Sequence, residues 1–208
     1  MSIFTSRKLH SVLKIIVPVI TGILITFNST AQILISPGPG VTPIDMVENI
    51  VGEGVQYENV TFQGAPISRG IFNNGNTTNL GLESGVFLTS GSGYNVPGPN
   101  SSGSITGANG MPGNSVLEGI TTSTTYDAAV LEFDFIPESD TLRFKYVFGS
   151  DEYHEWANTS FNDVFGYFVT GPNPDGGMYT NENVAIIPGT SLPVTINNLN
   201  NGQTGNGP

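Results

Sequence analysis

The sequence predicts an all-β fold, an antiparallel β-sandwich of jelly-roll type with one short helix near its start. Three observations lead there. Beyond residue 31, short β-branched and aromatic runs alternate with clusters of Gly, Asn, Thr, Ser and Pro, the spacing of many short strands joined by turns. Residues 129–148 alternate apolar and polar side chains on both sides of Pro137-Glu138-Ser139-Asp140, as the two arms of a hairpin do. Only residues 42–52 carry apolar positions at helical spacing in this part of the chain.

Residues 1–31 stand outside that fold. Arg7 and Lys8 give a positive start, residues 15–27 form an apolar run of thirteen, and Ser29-Thr30-Ala31 sets small residues before Gln32. This is the layout of an export signal cleaved after Ala31, which leaves residues 32–208 as the exported domain. A membrane span needs about 20 apolar residues, so none is expected in the mature chain.

The helix comes next. Thr42 can cap it, Pro43 suits its first position, Asp45 completes a capping box, and Gly52 can end it. Ile44, Val47, Ile50 and Val51 then share one face. Strands are expected over 55–62, 68–72 and 86–89. Residues 91–115 interrupt the pattern: 19 of these 25 residues are Gly, Ser, Asn or Pro, none is charged, and a long surface loop is expected. In the 129–148 hairpin, Phe135 would face Leu142, Phe133 would face Phe144, and Leu131 would face Tyr146. The same register sets Asp134 opposite Arg143 and Glu132 opposite Lys145, which reads these two cations as structural. Further strands are expected over 164–170, 183–187 and 192–197, followed by an Asn/Gly-rich tail over 198–208.

Charge narrows the function. All 17 acids lie beyond residue 31, where Arg69, Arg143 and Lys145 are the only bases. Such a surface repels phosphate backbones and anionic membranes and attracts divalent cations. No cysteine is present, so disulfides, thiolate chemistry and a lipid-bearing cysteine are excluded, and a packed core must hold the domain.

Chemistry concentrates between the hairpin and the next strand. Asp151, Glu152, Glu155 and Asp163 stand there without a Lys or Arg among them. Clustered carboxylates repel one another unless a cation or protons intervene. Calcium is the hard ion that suits them, with Asp151, Glu152, Asn162 and Asp163 as candidate ligands; a solvated acidic turn is the plain alternative. Tyr153 and Trp156, the single tryptophan, are candidate ligand-binding residues that could stack on a sugar, unless Trp156 is a core residue beneath a loop. His154 is the only histidine beyond the signal, and with no Cys it cannot assemble a zinc site. No Gly-x-Ser-x-Gly elbow supports a catalytic triad. An acidic glycoside hydrolase needs two carboxylates and stays open on residue type.

Phe148-Gly149-Ser150-Asp151-Glu152-Tyr153 and the following Phe161-Asn162-Asp163-Val164-Phe165-Gly166-Tyr167-Phe168 resemble the choice-of-anchor L domain of bacterial surface proteins. Gly85-Val86-Phe87-Leu88-Thr89-Ser90-Gly91, the 183–190 segment Asn-Val-Ala-Ile-Ile-Pro-Gly-Thr and the 193–198 segment Pro-Val-Thr-Ile-Asn-Asn extend the resemblance over roughly residues 40–200. It implies an exported or cell-surface β-rich module, found mainly in Bacteroidota, with no enzymatic activity and no catalytic residues to carry over. Members continue with further strands and an anchor, so this domain is expected to be truncated at its C-terminus with its sandwich incomplete. The combined expectation is a non-catalytic surface or secreted module with adhesive or structural duty, stabilised by calcium, whose partner is a surface glycan or another surface protein. A carbohydrate-binding module and a glycoside hydrolase are the alternatives.

Overall fold

The computed structural model describes residues 32–105, 107–121, 123–139, 141–153 and 155–199. The expected export signal at 1–31, Asp140, His154 and the tail from 200 onward therefore lie outside the described residues. Among the described residues nine short strands and three α-helices follow in the order β1 (Leu34–Pro37), α1 (Pro43–Val51), β2 (Gln56–Gln63), β3 (Arg69–Asn73), β4 (Gly85–Leu88), α2 (Ser115–Glu118), β5 (Val130–Ile136), β6 (Val164–Phe165), β7 (Phe168–Pro172), β8 (Met178–Asn183), β9 (Val194–Thr195) and α3 (Ile196–Leu199). Every ladder is antiparallel, which gives the predicted all-β class. The ladders are small: a three-stranded β1-β3-β4 sheet and the pairs β2-β5, β6-β9 and β7-β8. They establish the class without by themselves closing two facing sheets.

The first helix forms for the predicted reason. The Thr42 hydroxyl accepts from the Asp45 backbone N–H at 3.1 Å, and the Asp45 carboxylate accepts from the Thr42 N–H at 2.7 Å, a complete capping box. The Thr42 N–H first, and then the Thr42 hydroxyl, which donates to the same carboxylate at 2.8 Å, hold the Asp45 carboxyl below the usual carboxylate range. Gly52 ends the helix at φ 78°, where a side chain would be strained. The buried face differs from the expected one. Met46 and Val47 are fully buried, whereas Ile44 and Ile50 are 51% and 44% exposed. The helix packs on β2, β3 and β4, and adjacent positions turn inward because three strands lie along one flank. Phe72 and Phe87 from β3 and β4 add to this core. Gly70 makes room for the ring of its partner on the neighbouring strand, since a Cβ there would lie 2.6 Å from the Phe87 ring. Among the described residues no helix is long and apolar enough to cross a membrane.

The expected 129–148 hairpin does not form. Its first arm is β5, but β5 pairs with β2, setting Tyr57 opposite Phe135 and Phe62 opposite Leu131. Glu58 then faces Asp134, a like-charge pair that the sequence register had avoided. A bulge between Glu58 and Thr61 puts Asn59 at φ 55°, and its amide donates to the Asp134 carboxylate at 2.6 Å, so the bulge supplies the compensating donor. The second arm leaves the sheet after Pro137. Residues 142–149 make no hydrogen bond among the described residues, and their rings turn elsewhere: Phe144 stacks on Tyr167 at 3.9 Å and Tyr146 meets Phe165 at 4.8 Å. Arg143 and Lys145 are therefore exposed rather than paired with Asp134 and Glu132. The structural cation is Arg69, whose Nε donates to the Val41 carbonyl at 3.2 Å while its guanidinium sits 4.5 Å over the Phe62 ring.

Later strands are shorter than expected. The 164–170 run breaks into β6 and β7, and 192–197 becomes β9 followed directly by α3. At Gly166 a Cβ would lie 2.4 Å from the Phe168 ring, so this break sits where chain and ring press together.

Candidate functional site

Two loops meet at the acidic turn. The 91–114 loop is fixed by polar side chains rather than by apolar burial. The Asn95 amide donates to the Ile105 carbonyl at 2.7 Å, and the Asn109 amide donates to the carbonyls of Ser90 and Gly91 at 3.1 and 2.8 Å. Buried Asp127, at φ 51°, accepts from the Met111 N–H at 2.6 Å and from the Asn109 N–H at 3.1 Å. The loop then crosses to the acidic turn, where the Asn100 amide donates to the Asp151 carbonyl at 3.2 Å. Gly103 lies under the Trp156 indole, and a Cβ there would stand 2.6 Å from Nε1.

The turn itself is built on Ser150, whose hydroxyl donates to Asp163 at 2.9 Å and accepts from the Glu152 N–H at 3.1 Å. The chain coils so that the Trp156 N–H reaches the Glu152 carbonyl at 3.1 Å. Asn197 in α3 clamps the far side: its side-chain carbonyl accepts from the Asn158 N–H at 2.5 Å, and its amide donates to the Thr159 carbonyl at 3.3 Å. The Ile196 N–H reaches the Asp163 carbonyl at 3.2 Å, so β9 and α3 fix where Asp163 stands.

Three of the predicted acids share one electrostatic neighbourhood. Burial pushes the Glu152 carboxyl up to about 7, with the charges of Asp163 and then Asp151 adding to it. Burial raises Asp163 as well, against the Ser150 hydrogen bond that lowers it, with Asp151 raising it further. Glu152 Oε2 and the Tyr153 hydroxyl are both buried without a hydrogen-bond partner among the described residues, and burial raises the Tyr153 hydroxyl. Asn162 is already engaged, accepting from the Asn197 N–H at 3.1 Å and donating to Thr121 at 3.4 Å. Glu155 is exposed. Among the described residues no three acids or histidines are grouped as a ready cation site. The three carboxylates feel one another without converging on a single point.

The two aromatic candidates part company. Tyr153 is half-buried with its hydroxyl enclosed, whereas Trp156 is 42% exposed. Phe161, which sequence reasoning did not single out as a ligand contact, is 52% exposed and meets the Trp156 ring edge-on at 5.1 Å. Its place five residues after Trp156 was the available signal. Asn100, Gly103 and Asn197 gave none, because Asn and Gly recur throughout the chain.

A family model for the choice-of-anchor L domain matches residues 35–208, from β1 through α3 and beyond. Neither a curated protein nor a solved structure matches the chain. Matched over that span, the chain belongs to the choice-of-anchor L domain family, a family of exported or cell-surface bacterial proteins.

Proposed function

We propose that the chain is a non-catalytic module, cleaved after Ala31 on export, that presents the 150–163 turn to a partner outside the cell as an adhesive or structural element. The observation that carries this reading is the exposed Trp156 edge beside Phe161, held in place over Gly103. An aromatic pair offering flat apolar area beside polar groups suits a glycan face, which makes carbohydrate the favoured partner class over another surface protein. Calcium has a role in the same place. The charges of Asp163 and Asp151 raise the proton affinity of Glu152, and that of Asp151 raises the affinity of Asp163; a divalent cation relieves that repulsion as a proton does.

The test combines glycan binding with melting. Trp156→Ala is expected to lose binding to a glycan panel by at least tenfold with an unchanged melting temperature, and calcium is expected to raise the melting temperature above that in chelator. No glycan bound by the wild type would reject the carbohydrate partner. Identical melting in calcium and chelator would reject the ion. Hydrolysis of aryl glycosides that disappears in Glu152→Gln would replace the non-catalytic reading with a hydrolase.

A further inference from the structure

We infer that the free edge of β5 and the unpaired 142–148 segment are the two halves of a self-complementary interface, each half docking on the other half in a second copy of this chain. Both halves are left open by the fold. Among the described residues β5 pairs only with β2, and the backbone groups of 142–149 hydrogen-bond to nothing. A segment outside every helix and strand, with backbone groups unpaired among the described residues beside exposed Leu142, Phe144, Tyr146 and Val147, is a template for strand addition.

The two halves match in charge and in pattern. Antiparallel pairing of Phe135 with Leu142, Phe133 with Phe144 and Leu131 with Tyr146 brings exposed Asp134 and Glu132 against Arg143 and Lys145. These are two of the three cations beyond residue 31, and both lack an ion pair among the described residues. Because each copy carries both halves, a twofold axis satisfies both edges at once and the assembly closes as a dimer.

The geometry favours pairing between copies over pairing within one. Folding the segment back on its own β5 would strip Phe144 from Tyr167 and Tyr146 from Phe165, contacts of 3.9 and 4.8 Å. A second copy meets the segment along its backbone, which takes no hydrogen bond among the described residues and whose residues 142–147 are exposed. Pro137, directly after β5 and without an N–H to donate, carries the chain away from its own sheet.

The decisive measurement is the mass of the full chain in solution over a concentration series, for wild type and for two charge-reversed variants, Glu132→Lys/Asp134→Lys and Arg143→Glu/Lys145→Glu. The wild type is expected to form a concentration-dependent dimer. Each variant alone, whose facing strands then carry like charges, is expected to dimerise at least tenfold more weakly. An equimolar mixture of the two is expected to restore the dimer, which also shows that both variants are folded. A wild type that stays monomeric at every concentration, a dimer indifferent to both variants, or a mixture no tighter than its components would overturn the interface. Monomeric wild type together with recovered stability in the chain carrying all four reversals would assign the pairing to a hairpin within one copy.

Discussion

Replacing Glu152 by Gln isolates the electrostatics of the acidic turn. The Glu152 carboxyl stands at about 7 in the folded chain against an ordinary 4.5. At about 1.4 kcal/mol per unit this difference has a ceiling of about 3.5 kcal/mol. The side chain is only half-buried, so solvent screening reduces the effect to about 1–2 kcal/mol. Its sign follows from proton binding. Below pH 4.5 both folded and unfolded chains hold the proton, and the raised affinity contributes its full stability. As pH rises through about 7 the folded chain must release it, and that contribution is lost. Wild-type stability therefore declines between pH 4.5 and 7 on account of this group and levels off above. Glu152→Gln removes that component and leaves the variant more stable at pH 8 by about 1–2 kcal/mol, roughly 2–8 °C in melting temperature. Thermal melts from pH 4 to 8, read by the fluorescence of the single tryptophan, give both curves. If calcium occupies the turn, saturating calcium raises the wild type at pH 8 and raises the variant less. A variant that keeps the wild-type slope between pH 4.5 and 7, or that is less stable at pH 8, would refute the assignment of the proton to Glu152.

Three further substitutions test the supports of the site and the fold. Gly103→Ala forces a Cβ to within 2.6 Å of the Trp156 indole nitrogen; because Trp156 is already partly exposed the ring moves outward, and its emission is expected to shift red with a stability loss of about 1 kcal/mol. Asp127→Ala orphans the Met111 and Asn109 N–H groups, and its denaturant midpoint is expected to fall by the equivalent of about 2–4 kcal/mol, whereas Asp127→Asn, which keeps an acceptor and tolerates positive φ, falls less. Thr42→Ala breaks the capping box and is expected to lower unfolding free energy by about 1 kcal/mol in the same measurement.

What the sequence made legible was local, and what it hid was the choice among distant partners. Thr42, Pro43, Asp45 and Gly52 specify their helix within ten residues, and the structure repeats that reading bond for bond. The strand at 69–73 is similarly local. For β5, by contrast, two segments of suitable pattern compete, and charge alone ranks them wrongly. The 142–148 segment offers opposite charges to Glu132 and Asp134, yet β2 takes the edge with Glu58 facing Asp134. The amide of Asn59 at a left-handed bulge offsets that repulsion, and nothing in a string of residues announces a bulge. At the site, the acids were visible because they stand together without bases. Their neighbours were not, since Asn100 and Asn197 look like any other asparagine until the fold brings 100 beside 151 and 197 beside 158.

The response to salt separates the domain from its proposed assembly. Among the described residues, none of the three cations beyond residue 31 pairs with an acid in a single copy: Arg69 is held by a carbonyl and a ring, and Arg143 and Lys145 are exposed. The loops around the site are held instead by neutral amides such as Asn95, Asn109 and Asn197, whose hydrogen bonds salt does not screen. Added salt thus finds little attraction to weaken and the mutual repulsion of 17 acids to relieve. At concentrations where the chain is monomeric, raising sodium chloride from 0.05 to 0.5 M is expected to increase unfolding free energy, by about 1 kcal/mol. The dimer proposed above runs the other way, because it is closed by Arg143 and Lys145 meeting Asp134 and Glu132 across the twofold, and the same salt loosens it. A monomer destabilised by salt would mean that attractive pairs hold the fold after all, and a dimer strengthened by it would mean that apolar contact, not charge, brings the two copies together.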